Sequence, residues 1–595
     1  MIRNERGYAL LLVIFMILIF TILGVAIAGA SLGGATRTET RENDVQSLHL
    51  AEKALNEAVS YLVSEFDGRD DISPDELAVY MNKLKDIQNF RDVLTTNTEL
   101  SGASAHITDI KIEEGSIKHS YALTLTSEAA VNGVKRKLEQ KVMIDSYPEF
   151  LQYSYGSEQD VIINGAVYTI GKMYAGRHLK IYNKAKYIYN SIALEEPTQF
   201  PRLDGDLYIS SRHEISYCDY MTCNAAMPSS YQTLPANDES LLNRLLGIKY
   251  ENIRDEKSSS NFVSINLNES FLDKAAEAAG NGAGTRDRLK QVFNENNLIP
   301  FIQALNSDFG VRRVSPREEP AFPDWENEEE VAAYEAALKN YRDNYLSIFN
   351  SQQSESIIFD GDLRLDGIAY KGLVYGNDLS GNDAKAAGKW FIVNGDLLID
   401  NYSSEDLIIQ ANILVTGNVM ITGKKIKVDS TIISLGAGSA DGKTVVQDAE
   451  IKGLQVAGKT KQLVLMSRSD ILLNRFEAFT NYGRYSGTNI ENKRLDAFFY
   501  SEGEAELYGV GSTFWLNGGF FAKKNLTINA VLGSVEQKSD LSGIIFDKTL
   551  NEISGTKLDS RFIIEYNSNI FEDQYSGLPR VKQISVQIGS KQLQK

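Results

Sequence analysis

The chain has 595 residues, with 61 Lys+Arg against 79 Asp+Glu and a formal net charge of −18. That balance excludes a general nucleic-acid binder, which needs a basic footprint for phosphates, so no nucleic-acid partner is expected. Apolar content of 43% and charged content of 24% exclude a wholly disordered or polytopic membrane chain, and two cysteines exclude a disulfide-dense scaffold or a four-cysteine zinc site.

No charged residue occurs between Arg6 and Arg37. The apolar run is long enough to cross a bilayer core, which takes about 20 helical residues. A cleaved secretory signal is the alternative, with Ala26-Ile27-Ala28 as its small-x-small site. Arg3 and Arg6 precede the run and a net acidic stretch follows it, so the positive-inside rule places the N-terminus in the cytoplasm and the bulk outside. Val45, Leu48, Leu55, Val59, Leu62 and Phe66 continue the helix as an apolar stripe, with Gly33-Gly34 as the expected bend.

A short basic leader ending at Gly7, the apolar helix, and Ala51-Glu52-Lys53-Ala54-Leu55 on its amphipathic continuation resemble the type IV pilin superfamily in its PilX-like N-terminal form. The resemblance covers roughly residues 3–66. It implies that a prepilin-type peptidase cuts between Gly7 and Tyr8, leaving Tyr8 as the first mature residue. It also implies that the helix bearing Leu12, Phe15, Phe20 and Gly24 anchors in the inner membrane and packs among other pilin-like subunits. Leu12 departs from the pattern, because major pilins carry a glutamate at that fifth mature position. The departure implies a minor or tip subunit.

Farther on, Ser73-Pro74-Asp75-Glu76 is a helix start. Residues 104–145 alternate apolar and polar, and Val131-Asn132-Gly133-Val134 is a two-residue hairpin turn. From about residue 160 short strands recur behind Gly-Asp or Gly-Asn: Gly205-Asp206-Leu207, Gly361-Asp362-Leu363, Gly395-Asp396-Leu397 and Gly417-Asn418-Val419. A second echo pairs Tyr174–Ile181 with Phe521–Ile528. One turn and one apolar-x-apolar strand per twenty-odd residues suits the coils of a β-solenoid, with an irregular β-sandwich as the alternative. Leu241, Leu242, Leu245 and Leu246 mark a helix, as do Val331, Tyr334, Leu338, Tyr341 and Tyr345, whose tyrosines read as core packing.

The expected class is α+β. Its parts are a leader (1–7), a transmembrane helix (8–36), stalk and short helices (37–100), a small antiparallel sheet (101–150), a solenoid segment (151–235), a mostly helical insertion (236–352), a second solenoid segment (353–570) and a polar tail (571–595).

Chemistry is sparse. Ala437–Thr444 approximates a phosphate-binding loop, but the residues after it read as strand rather than helix, so an inter-coil turn fits better. Asn377–Asp383 is acidic but lacks the spacing of a calcium loop and reads as a solvated turn. No nucleophile elbow or zinc helix occurs. Cys218 and Cys223 are a candidate loop-closing disulfide, with two free thiols as the alternative. The expectation is therefore a non-enzymatic minor pilin-like subunit without cofactor or metal. It would display a β-rich region outside the cell for adhesion to a sugar or protein ligand. Two alternatives stand beside it: a single-pass surface protein outside any filament, and a membrane-anchored carbohydrate-active solenoid enzyme.

Overall fold

The computed structural model describes residues 6–66, 74–84, 102–114, 121–145, 148–189, 191–224, 227–255, 265–280, 284–349, 355–367, 372–374, 389–436, 442–456, 458–474, 494–511, 513–540, 543–546, 560–570, 577–579 and 585–594. It is a mixed α/β chain that forms two compact units, Met1–Ser146 with Lys582–Lys595, and Tyr147–Val581.

In the first unit, α1 (Arg6–Phe66) is one helix of 61 residues, about 90 Å long at 1.5 Å per residue. Helical bonding runs on through Gly33 and Gly34. Its C-terminal half buries Ala51, Ala54, Leu55, Ala58, Val59, Leu62 and Phe66, which recur every three or four residues and so form one face. Against that face lie Leu77, Met81 and Leu84 of α2 (Pro74–Leu84) and the inward residues of an antiparallel sheet, including Leu123, Leu125, Leu138 and Val142. The sheet is built from β1 (Ala103–Glu114), β2 (Tyr121–Val131), β3 (Val134–Asp145) and a C-terminal strand, Ser585–Gln594, in that order. Asn132 and Gly133 both take positive φ, 48° and 84°, and Val131 pairs with Val134, as the two-residue hairpin demands.

The segment 585–594, expected as part of a polar tail, is thus a strand. It needs no apolar run of its own, since β3 satisfies its backbone from Asp145↔Ser585 to Lys137↔Gln594, and its Val586 packs on the core.

The second unit contains a 15-stranded and a 13-stranded sheet, paired in parallel almost throughout. The chain alternates between them: Tyr155–Ser157, Met173–Ala175 and Leu207–Ile209 lie in one, and Val161–Gly165, Leu179–Tyr182 and Ile215–Cys218 in the other. Inward aliphatic residues of both sheets share one continuous core, from Ile163 and Leu179 to Leu397 and Leu473.

The order of strands in the stack differs from their order in the chain. Residues 155–255 build outward from Tyr155 to Ile253–Asp255. The chain then reappears at the opposite end, at Arg312–Val314, and builds back through Ile357–Phe359, Phe391–Val393, Asn412–Val415, Ser430–Ser434, Leu463–Ser467 and Arg494–Ser501. It goes on to Phe514–Ala522 paired to Tyr155–Ser157 and Leu526–Ala530 paired to Val161–Gly165, and finishes with Phe562–Tyr566, paired to Phe514–Gly518 and through Ile563–Glu565 to Tyr168–Ile170. The stack therefore has a seam in its middle where late residues meet early ones.

Between the two runs, α4 (Leu267–Ala278), α5 (Thr285–Val292) and α6 (Ile299–Ser307) carry the chain across, while α3 (Glu239–Leu246) lies within the first run and α7 (Glu328–Phe349) within the second. Three contacts tie this segment to the first sheet or to the turns beside it. Leu267 N donates to Glu502 Oε1 at 2.9 Å, Arg468 pairs with Glu295 at 2.6 Å, and Trp390 Nε1 donates to Glu277 Oε2 at 3.2 Å. Strands beneath this cover, such as Leu463–Ser467, are buried on both faces. Leu242, Leu245 and Leu246 of α3 and Tyr341 and Phe349 of α7 join the core.

The Gly-Asp repeat has a physical cause. Asp362 Oδ1 accepts from Asp396 N at 2.8 Å, and Asp396 Oδ1 accepts from Asn418 N at 2.7 Å, across sequence steps of 34 and 22 residues. Each carboxylate thus holds the turn of the next rung. A Cβ at Gly395 would lie 2.6 Å from Asp362 Oδ1, and one at Gly417 would collide with Asp396 Oδ1, so glycine leaves the space that the carboxylate fills.

Candidate functional site

Among the described residues, none packs on the N-terminal half of α1. Leu12, Phe15 and Phe20 are 59%, 61% and 67% exposed, and a Cβ added to Gly24 would meet nothing within 4 Å. Its most apolar 18-residue window has a mean hydropathy of 3.2 and is wholly unburied. Bare apolar surface on this scale calls for lipid or neighbouring helices. Two hydroxyls on this part of the helix are satisfied internally: Thr21 Oγ1 donates to Ile17 O at 2.7 Å and Thr36 Oγ1 to Leu32 O at 2.8 Å. Such back-bonding removes the cost of an unmet hydroxyl in hydrocarbon, a feature the hydropathy pattern alone did not single out. Gly7 and Tyr8 lie in the first turns of α1, whereas Met1–Glu5 of the expected leader lie outside the described residues.

The change from bare to packed helix falls at Asn43. Its Oδ1 accepts from Asn132 Nδ2 at 3.2 Å. Beside it, Asp44 pairs with Arg136 of β3 at 2.5 Å, and the hydrogen bond from Arg136 holds the Asp44 carboxyl below its ordinary value. One turn on, Ser47 is fully buried, and Ser127 Oγ donates to Ala51 O at 3.0 Å. The hairpin turn and β3 thus grip the helix where the apolar run has ended.

In the second unit Cys218 and Cys223 form a disulfide, with Cα atoms 5.7 Å apart. The loop inside it is tied down by Asp219, whose carbonyl accepts from Thr222 N and Cys223 N, both at 2.9 Å, and by Asn183 Oδ1, which accepts from Tyr220 N at 2.8 Å. His178 pairs with Glu214 at 2.5 Å. Among the described residues no group of three or more His, Cys, Asp or Glu side chains could hold a metal ion. Thr444–Gly453, following the phosphate-loop-like stretch, is a strand. Residues 437–441 of that stretch and the acidic loop 377–383 lie outside the described residues.

Of the tyrosines read as core packing on α7, Tyr341 is buried, but Tyr334 sits at the surface between two exposed rings, Phe322 and Trp325. The sequence reading missed this cluster because Phe322 and Trp325 have no periodic pattern.

No protein-family model matches the chain, and no curated protein sequence does. Among solved structures, the competence-associated pilin ComZ from Thermus thermophilus is similar over 93% of this chain and 98% of that chain, at 11% identity and a TM-score of 0.22. A superposition that loose settles neither fold nor role.

Proposed function

We infer that the chain is a minor pilin-like subunit that works without catalysis. The observation that carries this reading is the division of α1: one continuous helix is bare and apolar in its first half and clamped to a small antiparallel sheet in its second. A helix built this way serves as a membrane anchor before assembly, and its bare half packs among sister helices afterwards. A peptidase cut between Gly7 and Tyr8 would release the anchor for that exchange. Leu12, which has no carboxylate to pair with a neighbour's terminal amine, suits a subunit at the tip rather than along the shaft. We read the second unit as a β-solenoid, because successive strands alternate between two parallel sheets around one aliphatic core, and as the region displayed outside the cell. The disulfide fits an oxidising compartment.

N-terminal sequencing of the protein made with and without a prepilin-type peptidase tests the reading. A mature start at Tyr8 only when the peptidase is present is the expected result. An unchanged N-terminus in both would overturn the filament reading in favour of a permanently anchored surface protein.

A further inference from the structure

Two of the exposed rings of the second unit stand together in an acidic stretch. Phe322 is 74% exposed and Trp325 66% exposed, and the centroid of each lies 5.8 Å from that of Tyr334 on α7. Of the other two tryptophans, Trp390 is fully buried and Trp515 donates to Glu565 at 2.9 Å. Two aromatic rings open to water, both packed on a third that is half-buried, mark a contact site.

The site is held in shape. Asp324 N donates to Glu330 Oε2 at 3.0 Å, and Glu326 N donates to Asp324 Oδ1 at 3.1 Å, so the backbone on both sides of Trp325 is tied. Asn327 Nδ2 donates to Glu330 Oε1 at 3.1 Å and Asn327 Oδ1 accepts from Glu329 N at 3.1 Å, which closes the turn onto α7. A partner would meet rings already in place, with little ordering cost.

Charge selects the partner. Pro316–Glu330 carries one arginine against seven carboxylates. Aromatic faces are electron-rich, and with carboxylates around them they favour a cation, above all the planar guanidinium of arginine. The same field repels anionic polysaccharide, nucleic acid and acidic membrane.

We propose that Phe322, Trp325 and Tyr334, with the acidic stretch around them, form a docking site for an arginine- or lysine-rich segment of a partner protein. The site does not depend on whether the chain enters a filament.

The test uses the full chain in a non-glycosidic detergent and a fluorescent arginine-rich peptide, with binding read by anisotropy. The double variant Phe322→Ala/Trp325→Ala keeps the net charge, so non-specific attraction to an acidic protein is unchanged. The expected result is about a tenfold loss of affinity in that variant. Affinity should be retained in Phe322→Tyr/Trp325→Tyr, and wild-type binding should weaken with salt. Equal binding by wild type and the alanine variant would overturn the proposal, leaving charge alone. So would the absence of peptide binding, or displacement of the peptide by a neutral oligosaccharide, which would assign the rings to sugar stacking.

Discussion

Asp160 sits at the seam of the stack, where its replacement by asparagine has a local and measurable consequence. Its carbonyl accepts from Leu526 N at 3.0 Å, joining the early run to the late one, while its side chain receives Arg177 Nε at 2.7 Å and Lys180 Nζ at 2.9 Å. Burial pushes the Asp160 carboxyl up, but the hydrogen bonds from Arg177 and Lys180 outweigh it and hold the group below its ordinary value. Removing the charge from a buried pair costs several kcal/mol when the partner is also buried. Here both cations are partly exposed and can rehydrate, and asparagine still accepts one bond, so the cost is about 2 kcal/mol. In a stack where each rung touches only its neighbours, that loss stays near the seam.

Native-state hydrogen exchange in Asp160→Asn should therefore speed up about 30-fold in Val161–Gly165 and Leu526–Ala530, at about 1.4 kcal/mol per tenfold, and stay unchanged in Ile357–Phe359. Because the folded carboxyl is depressed, the wild-type clamp is fully present above the unfolded value near 3.9 and is lost as pH falls through the folded one. Acid should loosen the same two segments in wild type and change little in the variant. A loss spread evenly along the stack, or no loss at the seam, would refute the pairing of late rungs on early ones.

Four further outcomes are expected. Leu55→Ala should destabilise the first unit by about 2–5 kcal/mol, seen as faster limited proteolysis of the stalk half of α1, because Leu55 is wholly buried against the sheet. Gly417→Ala should cost about 1–3 kcal/mol in denaturant titration, and Asp396→Gly should recover part of it by removing the carboxylate that the new methyl strikes. Cys218→Ser should lower stability by roughly 2 kcal/mol through the freed short loop, and wild-type protein unfolded without reductant should take up no thiol label. Leu18→Lys should weaken membrane retention in fractionation by about 2.5–3.5 kcal/mol at mid-span, whereas the same change at exposed Val79 of α2 should not.

Local features were legible wherever a residue acts through its immediate chain. The apolar stretch reads as one bare helix because no charge interrupts it. Asn132-Gly133 reads as a hairpin because both residues accept positive φ. The echo between Tyr174–Ile181 and Phe521–Ile528 also had a spatial meaning. Tyr174 and Phe521 flank Gly156 on successive rungs, and Leu179 and Leu526 flank Val161. The echo could not show that those rungs are neighbours. Nor could polarity show that residues 585–594 return to β3, since an edge strand is held by backbone bonds that every sequence can offer.

The sequence by itself determined the elements: an anchor-like helix, a hairpin, and strands launched by Gly-Asp turns. Only the tertiary structure decided their order in space, with a seam joining residues 155–165 to 514–530 and helices carrying the chain from one end of the stack to the other. The physical reason is that parallel rungs are nearly interchangeable. Each offers the same row of N–H and C=O groups and the same aliphatic inner face, so the repeat specifies a rung while contacts such as Asp160 with Arg177 and Trp390 with Glu277 help to specify its neighbours.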